Sequence, residues 1–355
     1  MNTAMPPSQA DFNSLLQHAR LCSRYVQRLL DSEPALQGWL QEHYAQPCTA
    51  AEMRDWLAAM PAADESELSC ALRSLRKQVM LKLLTRDLGG LADLNEVMTC
   101  MTALAELAVK KAHDFAMQAL VQQYGQPIGT ESGNPQELLI IGMGKLGGGE
   151  LNVSSDIDLI FIYPEDGDTD GARSIGNNDF FSRLGRKIIN LINELTPDGY
   201  VFRVDMRLRP YGDSGALVIS FAALEEYLVA QGREWERYAW IKARVISPPQ
   251  GAASKELLQL AQPFVFRKYL DFSAFESMRK LHAQIRQEVL RRDRLNNVKL
   301  GPGGIREIEF IAQVFQLIRG GRDAPLQVKP TQAVLKLLAE RGILSLDAAV
   351  ELASA

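Results

Sequence analysis

The spacing of hydrophobic residues divides the chain into three stretches. In the first, residues 15–29, 68–79 and 94–108 repeat an apolar residue every three or four positions, which is the period of one helix face. Gly89-Gly90 separates two of these helices, and Gly125 stands where a C-cap is expected. We therefore predict an all-helical region over residues 1–125.

The pattern changes after the loop GQPIGTESGNPQE at residues 125–137. The segments ELLIIG and IDLIFIY (157–163) read as short buried strands, and residues 177–195 read as a helix. Residues 199–210 alternate strictly between apolar and polar, which predicts a third strand, and residues 216–220 are expected to pair with it. These elements predict a core with a small mixed sheet over residues 126–250.

Helical periodicity returns at Phe221 and, after an interruption at Ser247-Pro248-Pro249, continues to the last residue. A C-terminal helical region is thus predicted over residues 251–355. Because Ala355 falls inside an apparent helix, we expect the sequence to be cut from a longer protein. The predicted fold class is α+β, with a mixed sheet between two all-helical regions.

The composition is that of an ordinary soluble protein and does not by itself indicate a function. The chain has 355 residues, a net charge of -4 and 46% hydrophobic residues, which is ordinary for a soluble protein. Its sequence shows no secretory signal and no apolar run of the roughly 18 residues that span a bilayer, and its four cysteines form no CxxC pair. We expect a cytoplasmic protein that is attracted neither to nucleic acid nor to a membrane.

Candidate chemistry begins with GMGKLGGG at residues 142–149. Its glycines literally satisfy GxGxxG, but the next strand follows too soon for the crossover of a dinucleotide fold, and the Walker A spacing is absent. A strand–helix junction at which backbone N–H groups and Lys145 meet phosphate oxygens fits better. A purely structural tight turn is an equal alternative.

Two acids, Asp156 and Asp158, open the strand that follows. The two-residue period of a strand places both carboxylates on one face, where they repel each other unless a cation lies between them. Oxygen ligands of this kind suit Mg²⁺ or Mn²⁺. The DxD pattern therefore predicts a metal site.

A third acid, Asp205, lies in the alternating segment VFRVDMRLR, whose charged positions are Arg203, Asp205, Arg207 and Arg209. A strand with one solvated face is the structural alternative. The functional interpretation places Asp205 beside the DxD pair and directs the arginines at phosphate. Three such carboxylates can hold two divalent cations about 3.5–4 Å apart for an in-line phosphoryl displacement.

A glycine turn, DxD on a strand and a distant third Asp are typical of the polymerase-beta-like nucleotidyltransferases. Four segments closely resemble the sequences of the glutamine synthetase adenylyltransferase/adenylyl-removing family: GMGKLGGGELNVSSDIDLIF, FRVDMRLRPYGDSG, REWERYAWIKARVI and KLGPGGIREIEFIAQVFQLIRGG. The resemblance runs from about residue 137 to residue 321. It also implies a polymerase-beta-like nucleotidyltransferase fold for the core.

Members of that family carry two nucleotidyltransferase domains, and this sequence resembles the N-terminal one. The resemblance implies phosphorolysis: phosphate releases AMP as ADP from a tyrosine of adenylylated glutamine synthetase, under control of the PII signal protein. Forward adenylylation from ATP and a non-catalytic nucleotide-sensing module are the alternatives.

The resemblance also assigns roles by position. It implies two Mg²⁺ ions on Asp156, Asp158 and Asp205. It implies phosphate or nucleotide contacts by a set of glycines, one serine and three cations: Gly144, Gly147, Gly148, Ser155, Lys145, Arg207 and Arg209. The superfamily usually has Gly-Ser where this chain has Gly147-Gly148, which leaves the phosphate contact there open.

Two acids and two glycines near the third helical stretch are additional candidates. Glu307 and Glu309 fall on different faces of a helix, so at most one of them points to any site. Gly303-Gly304 precedes that helix and forms either a second anion site or a tight turn.

Overall fold

The structure, a computed structural model, describes residues 9–248, 250–267, 283, 297–299, 301 and 303–354. The predicted N-terminal helical region is confirmed. Its described helices are α1 (Gln9–Cys22), α2 (Arg24–Ser32), α3 (Ala35–His43), α4 (Ala50–Ala58), α5 (Glu65–Leu88) and α6 (Leu94–Tyr124).

Polar caps fix where the longer N-terminal helices begin. Thr49, Asp64 and Asp93 each accept a backbone N–H through a side-chain oxygen, at the starts of α4, α5 and α6. As predicted, α5 ends at Gly89 and α6 at Gly125, whose φ of 86° favours a residue without a Cβ. None of the described helices is both long enough and apolar enough to cross a bilayer.

The central sheet confirms the predicted α+β class. Its strands run in the order β5 (Val204–Asp205), β3 (Ile157–Tyr163), β2 (Leu139–Gly142) and β7 (Arg244–Ser247). Strand β2 is antiparallel to β3 and β7, whereas β3 is parallel to β5. The antiparallel β2–β3 pair excludes the βαβ unit of a dinucleotide fold.

Four details of the prediction were wrong, and the first is that β7 forms within the stretch from Phe221 that was predicted to be helical. Residues 199–210 form a strand only at β5, because the Arg209 N–H bonds to the Met206 carbonyl and turns the chain. Strand β6 (Val218–Ser220) pairs parallel to β3 rather than with β5. The loop predicted at 125–137 contains β1 (Pro127–Gly129), which pairs with β4 (Gly167–Thr169).

Helices cover both faces of the sheet, and the alternation along each strand decides which core a residue joins. Ile140 and Phe161 pack with α5, α6 and α8 (Asn177–Asn193) in one buried cluster. Ile141 and Ile160 point the other way, into a cluster with α9 (Phe221–Ala230), α10 (Glu234–Trp240) and α11 (Ala252–Val265). The apolar runs of β2 and β3 are explained by this burial on both faces.

The predicted C-terminal helical region is confirmed where it is described. It contains α12 (Ile305–Arg319), α13 (Thr331–Glu340) and α14 (Leu346–Ser354), which share a third buried cluster around Leu326 and Leu335. The helix predicted across residues 268–282 and 284–296 lies outside the described residues.

A buried arginine joins the N-terminal helices to the core. Arg73 of α5 is only 1% exposed. Its guanidinium donates to the carbonyl oxygens of Leu191 (3.1 Å), Glu194 and Gly199 (2.8 Å), at the C-terminal end of α8 and just beyond it. The bonds to Leu191 and Glu194 satisfy carbonyl groups that the end of α8 leaves without helical partners.

We expect Arg73→Met to lower the free energy of unfolding by about 3 kcal/mol or more, since it leaves several partly buried carbonyls without donors. Urea unfolding followed by circular dichroism measures the change. The matched control is Arg20→Met, because Arg20 makes an exposed pair with Asp31 that contributes at most about 1 kcal/mol. Equal losses in both variants would contradict the assignment.

Candidate active site

The glycine turn holds Asp158 in place through backbone contacts. Strand β2 ends at Gly142, and the next N–H, of Met143, donates to the Asp158 carbonyl at 2.9 Å. Gly144 follows with φ of 51°, and a Cβ there would lie 3.0 Å from Asp158 Oδ2. The site needs glycine here both for its left-handed conformation and for the approach of a carboxylate.

The next glycines serve packing. Gly144 begins the short helix α7 (Gly144–Gly148), in which the Gly147 N–H donates to the Met143 carbonyl at 3.0 Å. A Cβ on Gly147 would lie 1.9 Å from the Lys242 carbonyl, and Gly148 is buried as well. The Gly147 amide is already bonded within the turn, which favours the tight-turn alternative for that residue, and its phosphate contact stays a prediction.

The parallel pairing of β3 and β5 brings the distant third acid to the DxD pair. Ile157 lies opposite Val204, and Asp158 lies opposite Asp205. Asp156 precedes β3 and is exposed, whereas Asp158 is half-buried. Three carboxylates from two chain segments therefore meet at one end of the sheet.

The charges of these acids affect one another. Burial, followed by the charges of Asp205 and Asp156, raises the pKa of Asp158 to about 6. A hydrogen bond from the Arg207 guanidinium lowers the pKa of Asp205. Asp158 thus carries an unfavourable charge at neutral pH unless a cation comes to it.

This donor set fits magnesium, because it consists of carboxylate oxygens that repel one another in a partly buried place. The side chains of the described residues do not yet converge as a set of three metal ligands. Asp205 is turned to Arg207, whose Nε lies 2.9 Å from Oδ2 and whose backbone N–H lies 2.9 Å from Oδ1. Cation binding by Asp205 would compete with the Arg207 guanidinium.

Two other predicted contacts lie elsewhere. The Ser155 hydroxyl donates to Asn152 Oδ1 at 2.8 Å within its own loop. The Arg209 guanidinium donates to the carbonyls of Met206 (2.8 Å), Asp213 (3.2 Å) and Gly215 (3.3 Å). Both side chains hold loops together in this structure, so their phosphate contacts stay predictions.

A cavity of about 240 Å³ opens beside the acids. Four of the predicted site residues line it: Gly144, Lys145, Asp156 and Asp158. Other lining residues come from the loop after β5, from α10 and α12, and from the segments that follow α10 and precede α12. Sequence analysis did not single most of them out as site residues: Leu208, Tyr238, Ala239, Lys242, Lys299, Arg306, Glu309 and Gln313.

Lys242 is a buried residue of this lining. It is 3% exposed, pairs with the Glu150 carboxylate, and donates to Glu309 Oε1 at 3.0 Å and to Thr331 Oγ1 at 3.1 Å. Glu150 also accepts the Thr331 N–H at 2.5 Å. One lysine thereby joins the glycine turn to α12 and α13.

The two acids of α12 point in different directions, as their spacing predicts. Glu309 lines the cavity, whereas Glu307 accepts the Gly303 N–H at 2.8 Å. Gly303 has φ of 72°, and a Cβ on Gly304 would lie 2.6 Å from the Val298 carbonyl. The tight-turn interpretation of Gly303-Gly304 is therefore favoured.

We expect Lys242→Met to lower the free energy of unfolding by roughly 3–5 kcal/mol, because it leaves two partly buried carboxylates without their cation. Lys336→Met changes an exposed lysine of α13 and is the matched control. Adding Glu309→Gln should cost less in the Lys242→Met background than in the wild type, since the pair is already broken. Additive losses would contradict the network.

The raised pKa of Asp158 predicts a pH dependence in metal-free buffer. Between about pH 4 and pH 6 the folded carboxyl binds more protons than the unfolded one, so the free energy of unfolding falls as pH rises. Asp158→Asn lacks this loss, and its advantage over the wild type should grow across the window to at most about 3 kcal/mol. Urea unfolding with a chelator, from pH 4 to pH 8, measures it; parallel profiles would contradict the prediction.

Comparisons with known proteins place the chain in a family. The profile of the family described as glutamate-ammonia ligase adenylyltransferase matches residues 14–259. A second profile, that of GlnD PII-uridylyltransferase, matches residues 279–355.

Curated relatives are similar along the whole chain. A bifunctional glutamine synthetase adenylyltransferase/adenylyl-removing enzyme of Aromatoleum aromaticum is 56% identical over 100% of this chain and 38% of its own length. Enzymes of the same description from Nitrosomonas europaea and Chromobacterium violaceum are 58% and 57% identical over 90% and 94% of this chain, and 35% and 37% of their own lengths. The chain thus spans less than two fifths of the length of these relatives, and it belongs to the glutamate-ammonia ligase adenylyltransferase family.

Proposed function

We propose that this chain removes AMP from adenylylated glutamine synthetase by phosphorolysis in the cytoplasm. The observation that carries the proposal is the pairing of Asp158 with Asp205 at the edge of a cavity that also contains cations. The names of the relatives, which combine adenylyltransferase and adenylyl-removing activities on glutamine synthetase, supply the substrate. The removing activity is assigned through the resemblance to the N-terminal half of that family.

The reaction balances without a redox partner. An oxygen of inorganic phosphate attacks the phosphorus of the AMP group, a new P–O–P linkage forms, and the P–O bond to the tyrosine breaks. The products are ADP and the unmodified tyrosine. Because the phenol has an unperturbed pKa of about 10, it is a fair leaving group and a dedicated general acid is unnecessary.

The residues divide this work by charge. Asp156, Asp158 and Asp205 would hold two Mg²⁺ ions, which when bound neutralise phosphate charge and orient oxygens. Lys145 faces the same cavity and balances negative charge on the substrates. The Arg207 side chain is 72% exposed even while it pairs with Asp205, and once released it would be free to bind phosphate oxygens with its planar fork.

We further propose that the PII signal protein regulates this activity. The support is the family resemblance together with the match of residues 279–355 to a PII-uridylyltransferase profile.

The test is ADP release from adenylylated glutamine synthetase with phosphate and Mg²⁺. Asp158→Asn should lower the rate at least about 100-fold, because it removes a carboxylate from the charge-balancing set. Asp168→Asn changes an exposed acid of β4 and should leave the rate unchanged. Full activity of Asp158→Asn would refute the metal assignment.

The rival reaction, forward adenylylation, uses the same acids with ATP. Incubation of the chain with unmodified glutamine synthetase and labelled ATP separates the two, since label on the protein supports the rival. Binding of Mg²⁺ and ADP without turnover of either substrate would instead support a nucleotide-sensing module.

A further inference from the structure

Three cations that line the cavity have no hydrogen-bond or ion-pair partner among the described side chains. Lys242 is fully engaged by Glu150, Glu309 and Thr331. By contrast, within the described part of the chain the side chains of Lys145, Lys299 and Arg306 make neither a hydrogen bond nor an ion pair, although all three line the cavity. Three such cations around one cavity favour an anion that enters from solution.

A hydrogen-bonded turn brings two of these cations together. The Ile305 and Arg306 N–H groups donate to the Val298 and Lys299 carbonyls, both at 3.1 Å. Lys299 and Arg306 therefore lie side by side at the start of α12. Gly303 and Gly304 are the residues that let the chain close this turn.

The charge of Lys299 acts on Lys145 and on Asp158. Burial, followed by the charge of Lys299, lowers the pKa of Lys145. The charge of Lys299 also lowers the pKa of Asp158, although burial and the neighbouring acids raise it by more. Lys299 thus lies within electrostatic reach of both the glycine turn and the acids.

The size of the cavity limits what it accepts. Its volume of about 240 Å³ lies below the range of about 300–1,000 Å³ in which whole drug-sized ligands bind. A phosphate group fits this limit better than a complete nucleotide. Arg306 adds a planar fork that bonds two phosphate oxygens, while the lysines supply point charge.

We propose that Lys299 and Arg306, together with Lys145, form the subsite for the attacking inorganic phosphate. The inference rests on the proposed phosphorolysis. The turn before α12 and the glycine turn of the core each contribute to this subsite, and the DxD pair lies on the same cavity. After attack, the phosphate held here becomes the β-phosphate of ADP.

The kinetic test uses Lys299→Gln and Arg306→Gln in the ADP-release assay. Each should raise the KM for phosphate roughly 10–100-fold, as expected for one lost charge-assisted hydrogen bond, and change kcat much less. Arg306→Lys, which keeps the charge, should recover part of the loss. The matched controls Lys336→Gln and Arg319→Gln change exposed cations of α13 and α12 outside the cavity and should leave the KM unchanged.

A binding test without turnover separates phosphate from nucleotide. In calorimetric titrations with Mg²⁺ and no glutamine synthetase, the two glutamine variants should weaken binding of inorganic phosphate and ADP roughly 10–100-fold. Their affinity for AMP should match the wild type, because AMP lacks the phosphate that this subsite holds. Thermal unfolding of each variant checks that its fold is retained, and Arg306→Lys serves where a glutamine variant does not fold.

The outcomes distinguish the two proposals. A wild-type chain that releases no ADP refutes the proposed function. An active wild-type chain refutes the subsite alone if the variants keep their KM for phosphate, lose only kcat, or lose AMP affinity as much as ADP affinity. Raised KM with selective loss of phosphate and ADP binding supports it.

Discussion

Everything at the candidate site depends on a parallel pairing of only two residues. Strand β5 is Val204–Asp205, and its register places Asp205 opposite Asp158. A shift by one residue would turn the Asp205 side chain to the other face of the sheet. The pairing is made against electrostatic repulsion, since the charges of Asp205 and Asp156 contribute to the raised pKa of Asp158. The flanking buried residues Val201 and Phe202 supply apolar burial that offsets this repulsion.

The second half of the site depends on a buried ion pair instead of a strand. Lys242 is surrounded by carboxylates from the glycine turn and from α12, so the helical region and the sheet meet at a charged contact. Such a contact specifies one arrangement, because an unpaired charge in the same place is costly. Because this contact holds α12 against the core, Lys299 and Arg306 line the same cavity as Asp156 and Asp158.

The fold class and the acids of the candidate site could be predicted from the sequence because the patterns that indicate them lie within short segments. Apolar spacing marks the helices and the strands β2 and β3, and a DxD pair at a strand start is visible in any single sequence. The strand predicted over residues 199–210 was wrong because a turn can show the same alternation of apolar and polar residues. Arg209 bonds three carbonyls of its own loop instead of extending the strand. The sequence could not decide the role of Gly147, because close packing against Lys242 and an approach to phosphate require the same residue. Lys242, Lys299 and Arg306 were missed as site residues because only tertiary contacts bring them to the cavity.

The distance along the chain between the two halves of the site has a consequence during synthesis. The acids at 156, 158 and 205 leave the ribosome well before Lys299 and Arg306. Until the turn before α12 has emerged and docked, a nascent chain presents its carboxylates without the cations that face them. Under the proposed assignments, a partly synthesised chain has the carboxylates that would bind a divalent ion but lacks the cations that would bind phosphate, so it would become active only after the last part of the site has folded.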